Sequence, residues 1–325
     1  AIAGHLRAKR GITCTASQIF IVGGAQQTFH LKNAVLLDPG DRVWFENPGA
    51  IGARNSLLAS GAELVPVPVD EDGLVVQEGL RRGADFRLVF VTPSHHQPLG
   101  HIMSLERRFA LLRSAEQAGA WIVEDDYDGE FCFGHRPVAT LKSIDRTGLV
   151  IYVGTFSKSL FPALRLGFML VPDSLVETMN RVSAAFVQGV PTTVQAVVAE
   201  FIEEGHFATH IRRMRRIYEE RHAALCDAAG RELGGLLRLA PAESGLHTVA
   251  TLAPGITEAA ATRQAAQHGV VVSPLSRFCI EPVATSGLVL GFGGIPPADI
   301  RSGVAALARA LAAARQVAPS GMAVG

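Results

Sequence analysis

The sequence predicts an α/β protein: a large domain on a mostly parallel sheet flanked by helices, then a smaller C-terminal α+β domain. Three observations carry this expectation. Short apolar runs alternate with helix-like stretches over residues 19–172. Those runs are near-continuous rather than alternating, the mark of strands covered on both faces. Past about Pro191 the pattern changes to long helical stretches and a few widely spaced strands. The 325 residues suit about two domains at roughly 100–200 residues each, and the change of pattern divides them as 1–200 and 201–325.

The elements follow in order. The chain opens inside a helical pattern, with Ile2 and Leu6 on one face, as though an upstream segment had been removed. Strands are expected at Ile19–Val22, Val43–Glu46, Glu63–Val67, Leu88–Val91, Ala120–Glu124, Leu149–Val153 and Leu166–Val171. Helices are expected at Ala25–Leu37, after Val76 and at Leu105–Ala118. Asp38-Pro39-Gly40-Asp41, Asn47-Pro48-Gly49 and Asp70-Glu71-Asp72-Gly73 supply turns between them. Thr193 to about Ala229 reads as one long helix or two abutting ones, with Gly205 at the break. Beyond it come strands at Leu246–Leu252, Gly269–Ser273 and Leu288–Phe292, helices near Glu258–His268 and Ala298–Val317, and a frayed tail at Ala318–Gly325.

Composition removes several classes of function. With 48% hydrophobic residues, 18% charged residues and a mean hydropathy of +0.24, the chain is no disordered segment. Its 30 basic and 30 acidic residues cancel, leaving no net field to draw it onto nucleic acid or an anionic membrane. No run of ~18 apolar residues is present to span a bilayer, and the charged start does not resemble a secretion signal. Cysteines 14, 132, 226 and 279 form no CxxC pair, which argues against a disulfide framework and a zinc site. A soluble, cytoplasmic protein is expected. One imbalance stands out: arginines outnumber lysines 26 to 4, and after Lys142 the one remaining lysine is Lys158.

Ligands of open α/β sheets bind beyond the carboxyl ends of the strands, and the unusual residues fall at those ends. After Ile19–Val22 comes Gly23-Gly24-Ala25-Gln26-Gln27, small residues opening a helix whose free amides suit a phosphate or another anion. After Leu88–Val91 comes Thr92-Pro93-Ser94-His95-His96-Gln97, whose paired histidines lack further metal-ligand spacing. No metal is expected. Residues 124–130 hold five carboxylates in seven positions, either a solvated loop or a site for a cation. After Leu149–Val153 comes Gly154-Thr155-Phe156-Ser157-Lys158, then Arg165. Singly, each motif has a plain structural reading. Together, a phosphate cradle, an acid, a phenol and a lysine between hydroxyls fit pyridoxal 5′-phosphate, whose aldehyde a lysine amine binds as a Schiff base. An apolar setting would ready that amine by lowering its pKa.

The blocks GTFSKSLFPALRLGFML (154–170), VEDDYDGEF (123–131), VTPSHHQPLGHIMSLERR (91–108) and HIRRMRRIYEERH (210–222) resemble the MocR subfamily of GntR-type transcriptional regulators, from about Ala1 to Leu311. The effector half of that subfamily is similar to the fold type I aminotransferases. The resemblance implies that Lys158 carries the cofactor, that Asp125 faces its pyridine nitrogen with Asp126 as the alternate acid, and that Tyr127 faces its ring oxygen. It implies that Thr155, Ser157 and Arg165 join Gly24, Ala25 and Gln26 around the phosphate, and that Arg277 clamps a substrate carboxylate. A homodimer is implied too, since related active sites lie at a dimer interface.

Three departures from the family pattern matter. Ala50 ends Glu46-Asn47-Pro48-Gly49-Ala50 where the family carries a tyrosine that stacks on the ring, a loss of about 0.5–1.5 kcal/mol of stacking; His95 or His96 is the expected substitute. Gln97 stands where an aromatic residue is usual. The family's N-terminal winged-helix DNA-binding domain is absent from this chain, so DNA is expected as a partner through that domain alone. In Arg212-Arg213-Met214-Arg215-Arg216, Ile211, Met214 and Tyr218 recur at helical spacing, which turns the arginines to solvent or a subunit rather than to DNA. His247 reads as a hydrogen-bonded core histidine. The function expected is an effector domain that senses pyridoxal phosphate or an amine or amino acid. The alternatives are a working aminotransferase, and a decayed copy that binds cofactor poorly.

Overall fold

Leu88–Val91 is wholly buried, and the runs on either side of it are nearly so. Such strands cannot stand at an edge, and they form the centre of an eight-stranded sheet. The structure, a computed structural model, describes residues 1–132, 138–186, 189–240 and 244–317; the expected frayed tail at Ala318–Gly325 lies outside them. The strands are β1 (Ile19–Val22), β2 (Arg42–Asn47), β3 (Glu63–Asp70), β4 (Gly73–Leu74), β5 (Leu88–Val91), β6 (Trp121–Asp126), β7 (Val150–Thr155) and β8 (Gly167–Leu170). Their order is β1-β8-β7-β6-β5-β2-β3-β4. From β7 to β3 every pairing is parallel, while β8 runs antiparallel to both β7 and β1. The helices are α1 (Ile2–Arg10), α2 (Ala25–Leu36), α3 (Ile51–Ala59), α4 (Val76–Arg82), α5 (Leu105–Ala118), α6 (Leu141–Ile144), α7 (Phe156–Ser159), α8 (Asp173–Phe186) and α9 (Thr192–Glu203).

Strand alternation sorts the core into two layers. Phe45, Phe90, Val123 and Val153 face Phe29 and Leu31 of α2, Leu57 of α3 and Met179 of α8. Trp44, Val89, Ile122 and Val150 face Val76 of α4, Leu111 of α5 and Leu141 of α6. The mostly parallel sheet flanked by helices is thus the observed architecture.

The chain divides into two compact units, one of Ala1–Gln97, His101–Glu130 and His135–Arg212, the other of Pro98–Gly100, Phe131–Gly134 and Arg213–Gly325. The division falls within α10 (His206–Glu232), which follows Gly205 at φ +78°, the helix break expected there. On α10, Ile211 and Tyr218 are buried while Arg212, Arg213 and Arg216 are exposed. The second unit holds β9 (Leu237–Leu239), β10 (His247–Leu252), β11 (Ser273–Pro274) and β12 (Gly287–Gly291) in the antiparallel order β11-β12-β10-β9. Helices α11 (Glu258–Gln267) and α12 (Pro297–Val317) complete it. The strand expected at Gly269–Ser273 is paired at Ser273–Pro274 alone. Val270 spends its amide on the Ala265 carbonyl at 2.9 Å, closing α11, and Val271 is 95% exposed. Among the described residues no helix is long and apolar enough to cross a membrane.

Candidate functional site

Strands β1, β2, β5, β6 and β7 run in one direction, so Val22, Asn47, Val91, Asp126 and Thr155 end at the same sheet edge. The polar motifs follow those ends directly.

The first forms an anion cradle. Gly24, at φ +99°, is the N-cap of α2, and the first helical bond is Thr28 N to Gly24 O at 3.3 Å. The amides of Ala25, Gln26 and Gln27 therefore precede any acceptor within the helix. Arg165, whose own backbone is left-handed at φ 49°, brings its guanidinium to the same place: a Cβ on Gly24 would lie 3.6 Å from it. Glycine at 24 serves the left-handed turn and leaves the space between amides and guanidinium open. Thr155 caps α7, its Oγ1 accepting from Ser157 N at 3.2 Å. Lys158, within that single turn, is exposed. Its neighbours on α7, Phe156 and Ser159, are buried, so the amine points away from the apolar side of that helix.

Strand parity separates the acids. Val123 belongs to the layer under α2, so Asp125, two residues on, projects from the same face. Glu124 and Asp126 project from the other. There Asp126 is engaged by Arg10 Nη2 at 2.8 Å and by the Tyr152 hydroxyl. Burial opposes the charge of Arg10, but Asp126, Tyr152 and Glu130 outweigh it and hold the guanidinium more firmly protonated than usual. Asp126 is thus a tie between α1, β6 and β7, and Asp125 is the acid turned towards α2. Burial, then the neighbouring Asp126 and Asp128, push Asp125 up to about 7, with Lys32 acting against them.

Tyr127 and His95 form a cluster with Asp128. His95, 1% exposed, places Nδ1 2.8 Å from Asp128 Oδ2 and 3.0 Å from the Tyr127 hydroxyl. Burial, Asp128 and Asp125 raise the Tyr127 phenol well above its usual value. Ala50 is 4% exposed and packs into the apolar layer under α2. In the second unit, His247 Nε2 donates to the Pro98 carbonyl at 3.1 Å, while Arg277 is exposed on the turn Leu275–Phe278.

Sequence reasoning passed over Arg10, Lys32 and the role of Glu46. Arg10 carried no signal. Lys32 did: it falls at helical spacing between Phe29 and Leu36, on the buried side of α2. Glu46, fully buried at the end of β2, accepts from Thr92 N at 3.1 Å and from Thr92 Oγ1 at 2.8 Å, fixing the loop that carries His95. Burial raises Glu46 to about 8 against the opposing Thr92 hydrogen bonds. A carboxyl whose folded value lies above its usual 4.5 adds stability that is complete below about 4.5 and lost as pH rises through about 8. Glu46→Gln keeps an acceptor for Thr92 and removes the charge. Melting temperatures measured from pH 5 to 9 should fall less steeply for E46Q than for the wild type; parallel curves would refute the assignment.

Residues 1–307 match the family "Aminotransferase class I and II". The chain is 43% identical over 313 residues to the "Probable rhizopine catabolism regulatory protein MocR" of Rhizobium meliloti, covering 96% of this chain and 63% of that protein. It is similar to the kynurenine aminotransferase of Pyrococcus horikoshii, solved in complex with PMP, at a TM-score of 0.89 and 27% identity over 96% of this chain and 79% of that one. It is also similar to LysN, the alpha-aminoadipate aminotransferase of Thermus thermophilus, solved with N-(5′-phosphopyridoxyl)-L-leucine. There the TM-score is 0.87 at 27% identity, over 97% of this chain and 82% of that one. The chain thus spans less than two thirds of the regulator it matches.

Proposed function

The chain belongs to the class I and II aminotransferase family, and on that premise we propose that it is the pyridoxal 5′-phosphate-binding, aminotransferase-like effector domain of a MocR/GntR-type transcriptional regulator. It senses the cofactor, an amine or an amino acid, and it acts on DNA through a separate winged-helix domain. The reading includes a homodimer in the cytoplasm.

One observation carries it: an anion cradle, a buried acid, a phenol and a lysine converge on one sheet edge. The donor set fits the cofactor. Amides of Ala25 and Gln26 with Arg165, Thr155 and Ser157 suit a phosphate. Asp125 suits a protonated ring nitrogen, and Tyr127, steadied by His95, suits the ring oxygen. The bound group supplies an aldehyde for an amine and a sink for electrons. Lys158 supplies that amine; its exposure leaves it open to a ligand. Arg277 is the candidate clamp for a carboxylate.

The aminotransferases among the similar structures favour a second reading, a working enzyme in which Lys158 also moves the proton at the amino carbon. Absorbance of the purified chain loaded with pyridoxal phosphate, recorded with a panel of amines and amino acids, separates the two. We expect a visible band that a subset of the panel shifts, with keto acid formed at no more than one equivalent. Continued keto acid production would replace the regulatory reading with the enzymatic one. Absence of any band would overturn both.

A further inference from the structure

Lys32 is 1% exposed, among the largest fully buried side chains of the protein. Its ammonium donates to Asn33 Oδ1 at 2.6 Å and lies 5.7 Å and 5.6 Å from the ring centroids of Phe29 and Phe90. Asn33 is itself held, its Nδ2 donating to Ser56 Oγ on α3 at 3.2 Å. One neutral oxygen and two aromatic faces are modest compensation for a buried cation. The charge that acts on Lys32 from across the core is Asp125, which parity turns towards the face that α2 covers.

From its other sides Asp125 meets Asp126 and Asp128 of its own segment, Glu46 at the end of β2 and the Tyr127 phenol. The carboxylates of Asp126 and Asp128 disfavour a charge at 125, while Glu46 and the Tyr127 phenol are groups that Asp125 in turn holds protonated. Lys32 is the group that favours a charge at 125.

We propose that Lys32 is the buried counter-ion of Asp125, a positioning residue that holds this acid charged and so readies it to face a cationic ring nitrogen. The pairing stands on the chain alone; its purpose rests on the cofactor reading above. Burial lowers Lys32 to about 7 with Asp125 opposing, the same region in which Asp125 itself titrates. Each favours the charged form of the other, so the protonation of one bears on that of the other. Below that region the pair gives up the carboxylate, and above it the ammonium.

The chain has only four lysines, so their Cε signals in ¹³C-lysine-labelled, cofactor-free protein can be assigned by single replacements. We expect the Lys32 signal to titrate near neutrality, and in Asp125→Asn to move down by about one pH unit or more, the usual effect of losing an opposite charge. Conversely, the Asp125 Cγ signal should titrate at higher pH in Lys32→Met. A methionine fills the same apolar slot, so K32M is expected to fold at least as stably as the wild type. If it does not, the D125N arm still decides, since it leaves the lysine site intact. A Lys32 signal that titrates near its ordinary 10.5, or ignores D125N, overturns the pairing.

A second arm tests the purpose. Loading with pyridoxal phosphate, followed by absorbance, should fail on acidification at a higher pH in K32M than in the wild type. Identical profiles would overturn the positioning role. Failure of both proteins to load at any pH would strike at the cofactor reading instead, leaving the pairing to the NMR result.

Discussion

Lys158→Ala is expected to abolish the visible absorbance of the chain loaded with pyridoxal phosphate, while leaving the fold intact. Two opposite features of the site lead there. The side chain is exposed on the short α7, makes no ion pair among those identified, and belongs to neither apolar layer. Its truncation should therefore change stability by no more than ~0.5 kcal/mol, as for other surface positions. Yet it is an exposed amine directly after the carboxyl end of β7, whereas Lys32 is sealed under α2 and Lys142 spends its ammonium on the Val150 carbonyl at 2.8 Å. What remains in K158A is the cradle of Gly24 and Arg165 with Asp125, which bind reversibly. Cofactor should then wash out on gel filtration, where the wild type keeps its colour. Lys158→Arg preserves charge and loses the nucleophile, so it should behave like K158A. A colour that survives in K158A would move the covalent site to another residue and overturn the assignment.

Much of this was legible in the sequence because the parallel strands carry their burial in their composition. Leu88–Val91 is apolar at every position and its neighbours over most of theirs, as strands covered on both faces require. The break at Gly205 was equally plain, since a left-handed residue ends a helix. What stayed hidden depended on partners distant in the chain. β4 and β9, of two and three residues, are too short for any period and exist through the strands they join. The apolar run 270–272 mimicked a strand, but its first amide had already been taken by α11. Between Asp125 and Asp126 the motif alone gave no choice, although the apolar Val123 two positions earlier fixes by parity which acid lies under α2. Lys32 was missed because lysine is so seldom buried, even though its spacing from Phe29 and Leu36 argued for burial.

The largest loss of stability should come from Arg108→Ala, far from any ligand. Arg108 is 0% exposed and joins three segments: Nε donates to the Met103 carbonyl at 3.1 Å, Nη2 to the Pro93 carbonyl at 2.7 Å, and Nη1 lies 3.5 Å from Glu124 Oε1. Glu124 in turn accepts the amides of Leu141 and Lys142 at 2.9 and 2.8 Å, fastening the start of α6 beneath β6. Truncation leaves a carboxylate and two carbonyls without their cation in a dry layer. Urea unfolding at pH 8 should register a loss of about 3–5 kcal/mol, typical of a buried ion pair broken from one side. The pH dependence identifies the cause. Burial raises Glu124 to about 7 while Arg108 opposes the rise. Because the folded value exceeds the usual 4.5, this group's stability is complete below about 4.5 and lost as pH rises through about 7. Without Arg108 that loss must extend to higher pH, so R108A should be least impaired in acid and most impaired in alkali. Glu124→Gln in the same chain should recover part of the deficit, giving a coupling in a double-mutant cycle that a purely steric cavity would not produce. An R108A deficit below about 1 kcal/mol, or one unchanged between pH 5 and 9, would mean that the Arg108–Glu124 pair contributes little and that the other hydrogen bonds of the Thr92–His96 loop hold it.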